Sequence, residues 1–95
     1  MSLLPVIKCR VVGNSMFPNF RPGEVVLVER VSKRFRPLRR GEVVTVERDG
    51  MLMIKRVIER GRNTLTLRGD NLDRSSAFEI SSRQVVGRVF VRINS

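Results

Sequence analysis

The chain has 95 residues, and 19 lysines and arginines against nine aspartates and glutamates give it a formal net charge of +10. It contains no histidine, tyrosine or tryptophan and one cysteine, Cys9. This composition excludes Ser-His-Asp and Cys-His catalysis, and zinc sites built from histidine or several cysteines. If the chain is a hydrolase, its base must be lysine, aspartate or glutamate. The length suits one domain over residues 1–95.

The excess of positive charge favours acidic partners: nucleic acid, an anionic lipid surface or an acidic peptide. No run of about 18 apolar residues is present, so the sequence predicts no transmembrane helix. We expect a protein that is soluble as given, cytoplasmic for example, or one that is membrane-associated through an anchor removed before residue 1. The single cysteine leaves the compartment undetermined, and the oligomeric state is open. We expect no metal and no other cofactor.

Six apolar runs separated by turn signals predict short β-strands. In chain order they are Val6 to Val12, Glu24 to Val31, Glu42 to Arg48, Met51 to Glu59, Thr64 to Arg68 and Val85 to Ile93. Asp49-Gly50 is a hairpin signal that pairs the third strand with the fourth. Single helical turns are expected at Met16–Phe20 and at Ser81–Gln84. Because no longer helical period is present, we expect a mainly β protein, a small twisted antiparallel fold or partly open barrel.

Two segments of the first half differ from their surroundings. Residues 21–30 and 39–48 match at eight of ten positions, which indicates the same turn-into-strand chemistry used twice, or a duplication.

Residues 33–40 are rich in arginine and lysine around Phe35. Such a segment is a candidate for contact with phosphates or with an anionic bilayer, and it is equally typical of a solvated loop.

Ser15 and Lys55 have the surroundings that a Ser-Lys hydrolase requires. A lysine near its ordinary pKa of about 10.4 is protonated, whereas burial lowers the pKa and lets the neutral amine accept a serine proton. On the fourth predicted strand, Lys55 shares its face with three apolar residues, Met51, Met53 and Val57. Ser15 follows a strand and a glycine, on a turn that could leave backbone N–H groups free for an oxyanion hole.

Three short motifs occur in order along the chain: Gly13-Asn14-Ser15-Met16-Phe17-Pro18, then Ile54-Lys55-Arg56-Val57-Ile58, then Gly69-Asp70-Asn71. They resemble, in turn, the nucleophile box, the lysine box and a late box of the signal peptidase I family and of related Ser-Lys peptidases, the S24/S26 group, which includes the LexA-type repressors. Residues 22–28, 40–44 and 86–89 resemble the strands between and after them. The resemblance covers about residues 10–93 and implies the fold of the signal peptidase and LexA C-terminal domains.

The resemblance assigns the catalytic roles. It implies that Ser15 is the nucleophile and Lys55 the general base, and that the backbone N–H of Ser15, on the turn made by Gly13, is the oxyanion donor. Asp70 and Asn71 would support the site, mainly by pinning a loop near the lysine. Ser75 would offer a hydroxyl that orients the lysine. Candidate substrate contacts are the next three residues of the nucleophile box, Met16, Phe17 and Pro18.

Several positions depart from the pattern of bacterial leader peptidases. Residues 75–79 retain the first serine of a Ser-x-Asp-Ser-Arg segment and lack its aspartate and arginine. Residues 60–63 replace a Pro-Gly-Asp, and Asn19 replaces the usual threonine. These changes indicate a short, divergent member. Small soluble members of the group include maturation proteases for metal-containing superoxide dismutases.

The implied function is a serine endopeptidase that removes a signal peptide, leader or propeptide from a substrate bound as an extended strand. One alternative is a non-enzymatic basic module on the same fold, which would bind an anionic membrane or, less in keeping with the motifs, nucleic acid. Another is a LexA-type self-cleaving domain. The sequence disfavours self-cleavage, because it has no DNA-binding helix pair and no Ala-Gly or Cys-Gly bond of the kind such domains cut.

Overall fold

The computed structural model describes residues 6–31, 37–73 and 75–93. It is mainly β, as the sequence predicts. The described strands are β1 Val6–Arg10, β2 Val25–Arg30, β3 Val43–Arg48, β4 Met51–Arg60, β5 Thr64–Arg68, β6 Phe78–Ser81 and β7 Val85–Ile93. A 3₁₀ turn, Ser82–Gln84, joins β6 to β7.

The strands form one open antiparallel sheet in the order β1-β2-β7-β3-β4-β5-β6. The last strand in the chain, β7, therefore lies between β2 and β3. This arrangement leaves β1 and β6 as the two edges of the described sheet.

The strand prediction differs from the structure mainly at β6, which was not predicted. Its four residues are too few to give a clear alternation, although Ile80 is buried and Glu79 is exposed. The predicted helical turn before β7 is confirmed as the 3₁₀ turn, capped by the side chain of Ser81. The predicted turn in the nucleophile box contains a hydrogen bond of 2.9 Å from the N–H of Phe20 to the carbonyl of Met16.

Two hydrophobic clusters cover opposite faces of the sheet. Val43 and Val44, neighbours on β3, point to opposite faces and belong to different clusters. The first cluster contains Val44, Val46, Val57, Leu65, Leu67, Ile80 and Val85. The second contains Val11, Met16, Phe20, Val26, Val28 and Val43. Burial of Met16 and Phe20 contributes about 1.5–3 kcal/mol for each side chain and so holds the loop between β1 and β2 against the sheet.

The two similar ten-residue segments fold alike. In each, a glycine has a φ near +90° that favours glycine, Gly23 at 90° and Gly41 at 93°. In each, the next residue is a glutamate whose carboxylate accepts a hydrogen bond from a backbone N–H three residues earlier. The two units lie on either side of β7, where they lead into β2 and β3.

The predicted hairpin at Asp49-Gly50 is present, with φ values of 53° and 78°. Two successive positive φ values match the tight turns that suit strand twist. The turn sets the register of β3 against β4, in which Val44 is opposite Lys55 and Val43 is opposite Arg56. Lys55 and Arg56 therefore project from opposite faces.

Candidate functional site

Lys55 projects from the face of β4 that carries the first hydrophobic cluster. Its neighbours on that face are the buried Val57 and the half-buried Met53, and the buried Val44 lies opposite on β3. The third expected neighbour, Met51, is 68% exposed and lies at the end of the strand. Burial lowers the pKa of Lys55, because the ammonium loses hydration that the neutral amine does not need.

Arg56 projects from the other face and binds Asp70 with two hydrogen bonds. Its Nε is 2.8 Å from Oδ1, and its Nη2 is 2.8 Å from Oδ2. Its Nη1 also donates to the carbonyl of Gly41, at 2.7 Å. Burial would raise the pKa of Asp70, but hydrogen bonds from Arg56 and Asn19, together with the charge of Arg56, outweigh it and lower the pKa. Asp70 is therefore a carboxylate at neutral pH.

The Gly69-Asp70-Asn71 segment, which follows β5, is bonded to the loop that carries Ser15. The backbone N–H of Asn71 donates to the carbonyl of Ser15 at 2.9 Å, and its side-chain amide donates to the carbonyl of Asn14 at 2.9 Å. The side-chain amide of Asn19 donates to Asp70 Oδ2, also at 2.9 Å. Two hydrogen bonds to the nucleophile box and one from the adjacent Asn19 thus fix this loop against the end of β5.

Gly69 lies in close contact with Ser15. A Cβ at this position would overlap the carbonyl oxygen of Ser15 and the Oγ of Ser75. The Ser75 hydroxyl itself donates a long hydrogen bond, 3.4 Å, to the carbonyl of Ser15. The glycine is therefore required here by space, since any side chain would displace the loop or the second serine.

The register of β4 and β5 relates this cluster to Lys55. The last pair of β4 with β5 is Arg56 with Arg68, and extending this register by one residue, past the end of β5, would set Lys55 opposite Gly69. Opposite residues on paired strands share a face, with Cβ atoms about 4.5–5.5 Å apart. The Cβ direction of Gly69 leads to Ser15 and Ser75. On that extension, Lys55 and the two serines would border the same glycine.

The other candidate residues of the nucleophile box are divided between core and surface. Gly13 is exposed and has a φ of 79°. Met16 is 1% exposed, and this burial favours a core role over the expected substrate contact. Phe17 is 41% exposed, with the guanidinium of Arg21 5.8 Å from its ring centre, and Pro18 is exposed. Phe17 and Pro18 therefore lie at the surface of the loop, whereas Met16 does not.

Two arginines of the site were not singled out from the sequence. Arg56 is the ion-pair partner of Asp70, and its position beside Lys55 in the lysine box was the available signal. Arg92 donates to the carbonyl of Asn19 and lies 5.3 Å from the ring centre of Phe20, so it holds the same loop from β7. No pattern near Arg92 indicates this contact.

Arg56 and Arg92 both line a cleft of about 610 Å³ where β3 and β7 diverge. Neither Ser15 nor Lys55 lines this cleft.

Cys9, the one thiol, is half-buried, and burial raises its pKa. It is therefore a thiol at neutral pH, and a thiol is a weak nucleophile. Within residues 6–31, 37–73 and 75–93, no group of histidine, cysteine, aspartate and glutamate side chains could hold a metal ion. No helix in those ranges is long and apolar enough to cross a membrane. In the basic segment, residues 33–36 lie outside the described residues, and Arg39 and Arg40 are exposed.

The chain matches a known protein family over most of its length. The family model described as Peptidase S24-like matches residues 5–90, which include all the motifs and every candidate site residue. No curated protein matches the chain. The match is to the S24 side of the group that the motifs resemble, so the narrower likeness to signal peptidase I depends on the motifs alone.

Proposed function

Because the chain belongs to the Peptidase S24-like family, we propose that it is a serine endopeptidase in which Ser15 is the nucleophile and Lys55 the general base. The main support is the arrangement around Gly69. The carbonyl of Ser15 and the hydroxyl of Ser75 border this glycine, which would be opposite Lys55 if the register of β4 with β5 is extended by one residue. Burial also lowers the pKa of Lys55, as a lysine base requires.

The proposed reaction begins with the neutral amine of Lys55. It removes the proton from Ser15 Oγ, and the oxygen attacks the scissile carbonyl to form a tetrahedral intermediate. The backbone N–H of Ser15 stabilises the oxyanion, a contribution that is typically about 10²–10³ in rate for one donor. The ammonium of Lys55 then protonates the leaving amine, and an acyl-enzyme remains. Lys55 next removes a proton from water, and the water oxygen attacks the acyl carbon. The bond from that carbon to Ser15 Oγ breaks, the ammonium of Lys55 returns its proton to Oγ, and the acid product leaves.

Asp70 and Asn71 would act by holding the loop that carries Ser15 in place. Asn71 bonds the carbonyls of Asn14 and Ser15, and Asp70 links Asn19 to Arg56, the residue after the base. The loop with the nucleophile is thereby joined to the strand with the base. This positioning matters because a displacement of a reacting group by about 1 Å can slow the reaction about 10²-fold.

The proposed substrate is a polypeptide bound as an added β-strand, and the proposed task is removal of a leader, signal peptide or propeptide. β1 and β6 are the edges of the described sheet that an extended peptide could join. The leader-removing task is supported by the motif resemblance to signal peptidase I.

The test is cleavage of a peptide library with small residues near the cut, by the wild type, Ser15→Ala and Lys55→Ala. We expect kcat/KM to fall at least about 10³-fold in both variants. Ser76→Ala and Arg62→Ala, which change exposed residues, are the matched controls and should retain activity. Full activity in Lys55→Ala would contradict the mechanism. A folded wild type that cleaves nothing, yet binds DNA or anionic vesicles, would favour the non-enzymatic module.

The family match also favours a second candidate, self-cleavage of the LexA type. Alkaline incubation promotes such cleavage by deprotonating a lysine base. Two fragments of the wild type, absent from Ser15→Ala, would establish self-cleavage by mass spectrometry. A single unchanged mass would leave cleavage of another chain as the proposed activity.

A further inference from the structure

The two edges of the described sheet carry opposite charges. On β1, Lys8 and Arg10 are exposed, and no described strand pairs with the outer edge of β1. On β6, the exposed charged residue is Glu79. A strand that joins the sheet therefore meets positive charge at one edge and negative charge at the other.

Lys8 and Arg10 lie on the same face of β1. They are opposite Leu27 and Val25 of β2, and two strand residues place them about 6.5–7 Å apart. Arg10 Nη1 donates to the carbonyl of Gly23 at 2.7 Å, which fixes the guanidinium and leaves its other N–H groups for a ligand. Within the described residues, no ion pair joins either side chain to a carboxylate.

The acidic residues near β1 are already held by arginines. Residues 6–31 contain two, Glu24 and Glu29, which lie 3.8 Å from Arg92 and 3.3 Å from Arg88. The exposed acidic residues lie on later strands and loops: Glu47, Asp49, Glu59, Asp73 and Glu79. The surface that leads from β1 into the nucleophile loop is thus basic without exposed acidic neighbours.

We propose that the substrate is an acidic segment, bound along the free edge of β1 with carboxylates at alternate positions facing Lys8 and Arg10. This inference rests on the proposed peptidase function and specifies its substrate class. β1 ends five residues before Ser15, so a chain aligned on this edge is led towards the nucleophile. An acidic segment on β6 would instead face Glu79. Opposite charges across neighbouring strands attract, and like charges repel.

The test measures binding without cleavage, on the Ser15→Ala protein. Two blocked, labelled peptides are compared by fluorescence anisotropy at low salt, one alternating threonine with glutamate and the other threonine with glutamine. We expect the acidic peptide to bind about 2- to 30-fold more tightly, as two cross-strand charge pairs imply. The preference should shrink as salt is raised, because the pairs are exposed.

The variants locate the site. Lys8→Ser with Arg10→Ser should abolish the preference, and Lys8→Glu with Arg10→Glu should reverse it in favour of a threonine–lysine peptide. Arg62→Ser with Arg83→Ser removes the same charge from exposed positions elsewhere and should leave the preference unchanged. Melting curves confirm that each variant is folded.

Three results would overturn the proposal: equal binding of the acidic and neutral peptides, no detectable binding of the acidic peptide, or an equal loss in the Arg62 and Arg83 control. Tighter binding of DNA or anionic vesicles through Lys8 and Arg10 would also overturn it, in favour of a different partner. Cleavage by the wild type is measured separately. Failure of this proposal therefore leaves the Ser15–Lys55 mechanism standing, and the reverse also holds.

Discussion

Arg56 and Asp70 form a two-point ion pair, with both N···O distances at 2.8 Å. The Asp70 side chain is 9% exposed, so this pair is less screened by water than an exposed ion pair. It joins the strand that carries Lys55 to the segment that holds Ser15. The pair therefore links the stability of the fold to the position of the nucleophile.

Asp70→Asn should destabilise the protein by about 1–3 kcal/mol, because it removes a charge-assisted pair and faces an amide N–H2 towards the guanidinium. Activity should also fall at saturating substrate, since the carboxylate that links Asn19 to Arg56 is lost. Urea unfolding and steady-state kinetics measure the two effects. Asp73→Asn, at an exposed position in the same loop, is the control and should change neither.

The same pair predicts how stability responds to acid. The folded pKa of Asp70 lies below its ordinary value of about 3.9, so the stabilisation is fully present above that pH and is lost as the pH falls through the folded pKa. The difference in free energy of unfolding between the wild type and Asp70→Asn should therefore shrink as the pH falls below about 4. Urea unfolding at pH 6 and pH 3 checks this, and a difference that grows on acidification would contradict it.

Gly69→Ala should damage the site more than the fold. The added methyl would overlap the carbonyl of Ser15 and the hydroxyl of Ser75, so the nucleophile must shift. We expect kcat to fall about 10²-fold and the free energy of unfolding to fall by about 1–3 kcal/mol. Gly61→Ala is a matched control, because its methyl would overlap Thr64 Oγ1 at a turn outside the site. Equal kinetic losses in the two variants would refute the positional role of Gly69.

The pH dependence of cleavage should follow Lys55. Its pKa is lowered by burial, so kcat/KM should rise with pH as the amine deprotonates and should level off with an apparent pKa below about 10.4. A pH-rate profile on a neutral peptide measures this value. An inflection at or above the ordinary lysine pKa would count against Lys55 as the base.

Ser75→Ala tests whether the second serine matters to the chemistry. Its hydroxyl borders Gly69 and donates to the carbonyl of Ser15 at a long distance. Loss of one such hydrogen bond, about 1 kcal/mol, should slow cleavage about fivefold. Ser76→Ala, at the adjacent exposed position, should have no effect. If both variants retain full activity, Ser75 has no role in the reaction.

Local sequence rules predicted much of what surrounds Lys55. Asp49-Gly50 specifies a turn with positive φ at both residues, and this turn fixes the pairing of β3 with β4. Alternation then places Lys55 with Val57 on an apolar face. These inferences needed only neighbouring residues, so the sequence alone was sufficient for them.

Contacts between distant residues could not be predicted in this way. Arg56, on β4, and Asp70, just after β5, are 14 residues apart in the sequence. The register between β4 and β5 is shifted by an irregularity between Val57 and Glu59. No turn residue specifies that shift. The carbonyl of Ser15 meets Asn71 only because two loops at different ends of the chain pack together. Such contacts depend on the whole sheet and leave no periodic signal.

The central position of β7 has a consequence for how the chain acquires its structure. Within the described residues, β7 is the only strand that pairs with both β2 and β3, so the β1–β2 pair and the β3–β6 ribbon do not belong to one sheet until this strand inserts. Closing such long loops is entropically costly, and it favours slow, late assembly. A nascent chain that has not yet released these residues from the ribosome would hold its serine and its lysine on two parts not yet joined into one sheet. Synthesis itself would thus delay any proteolytic activity until the domain is complete.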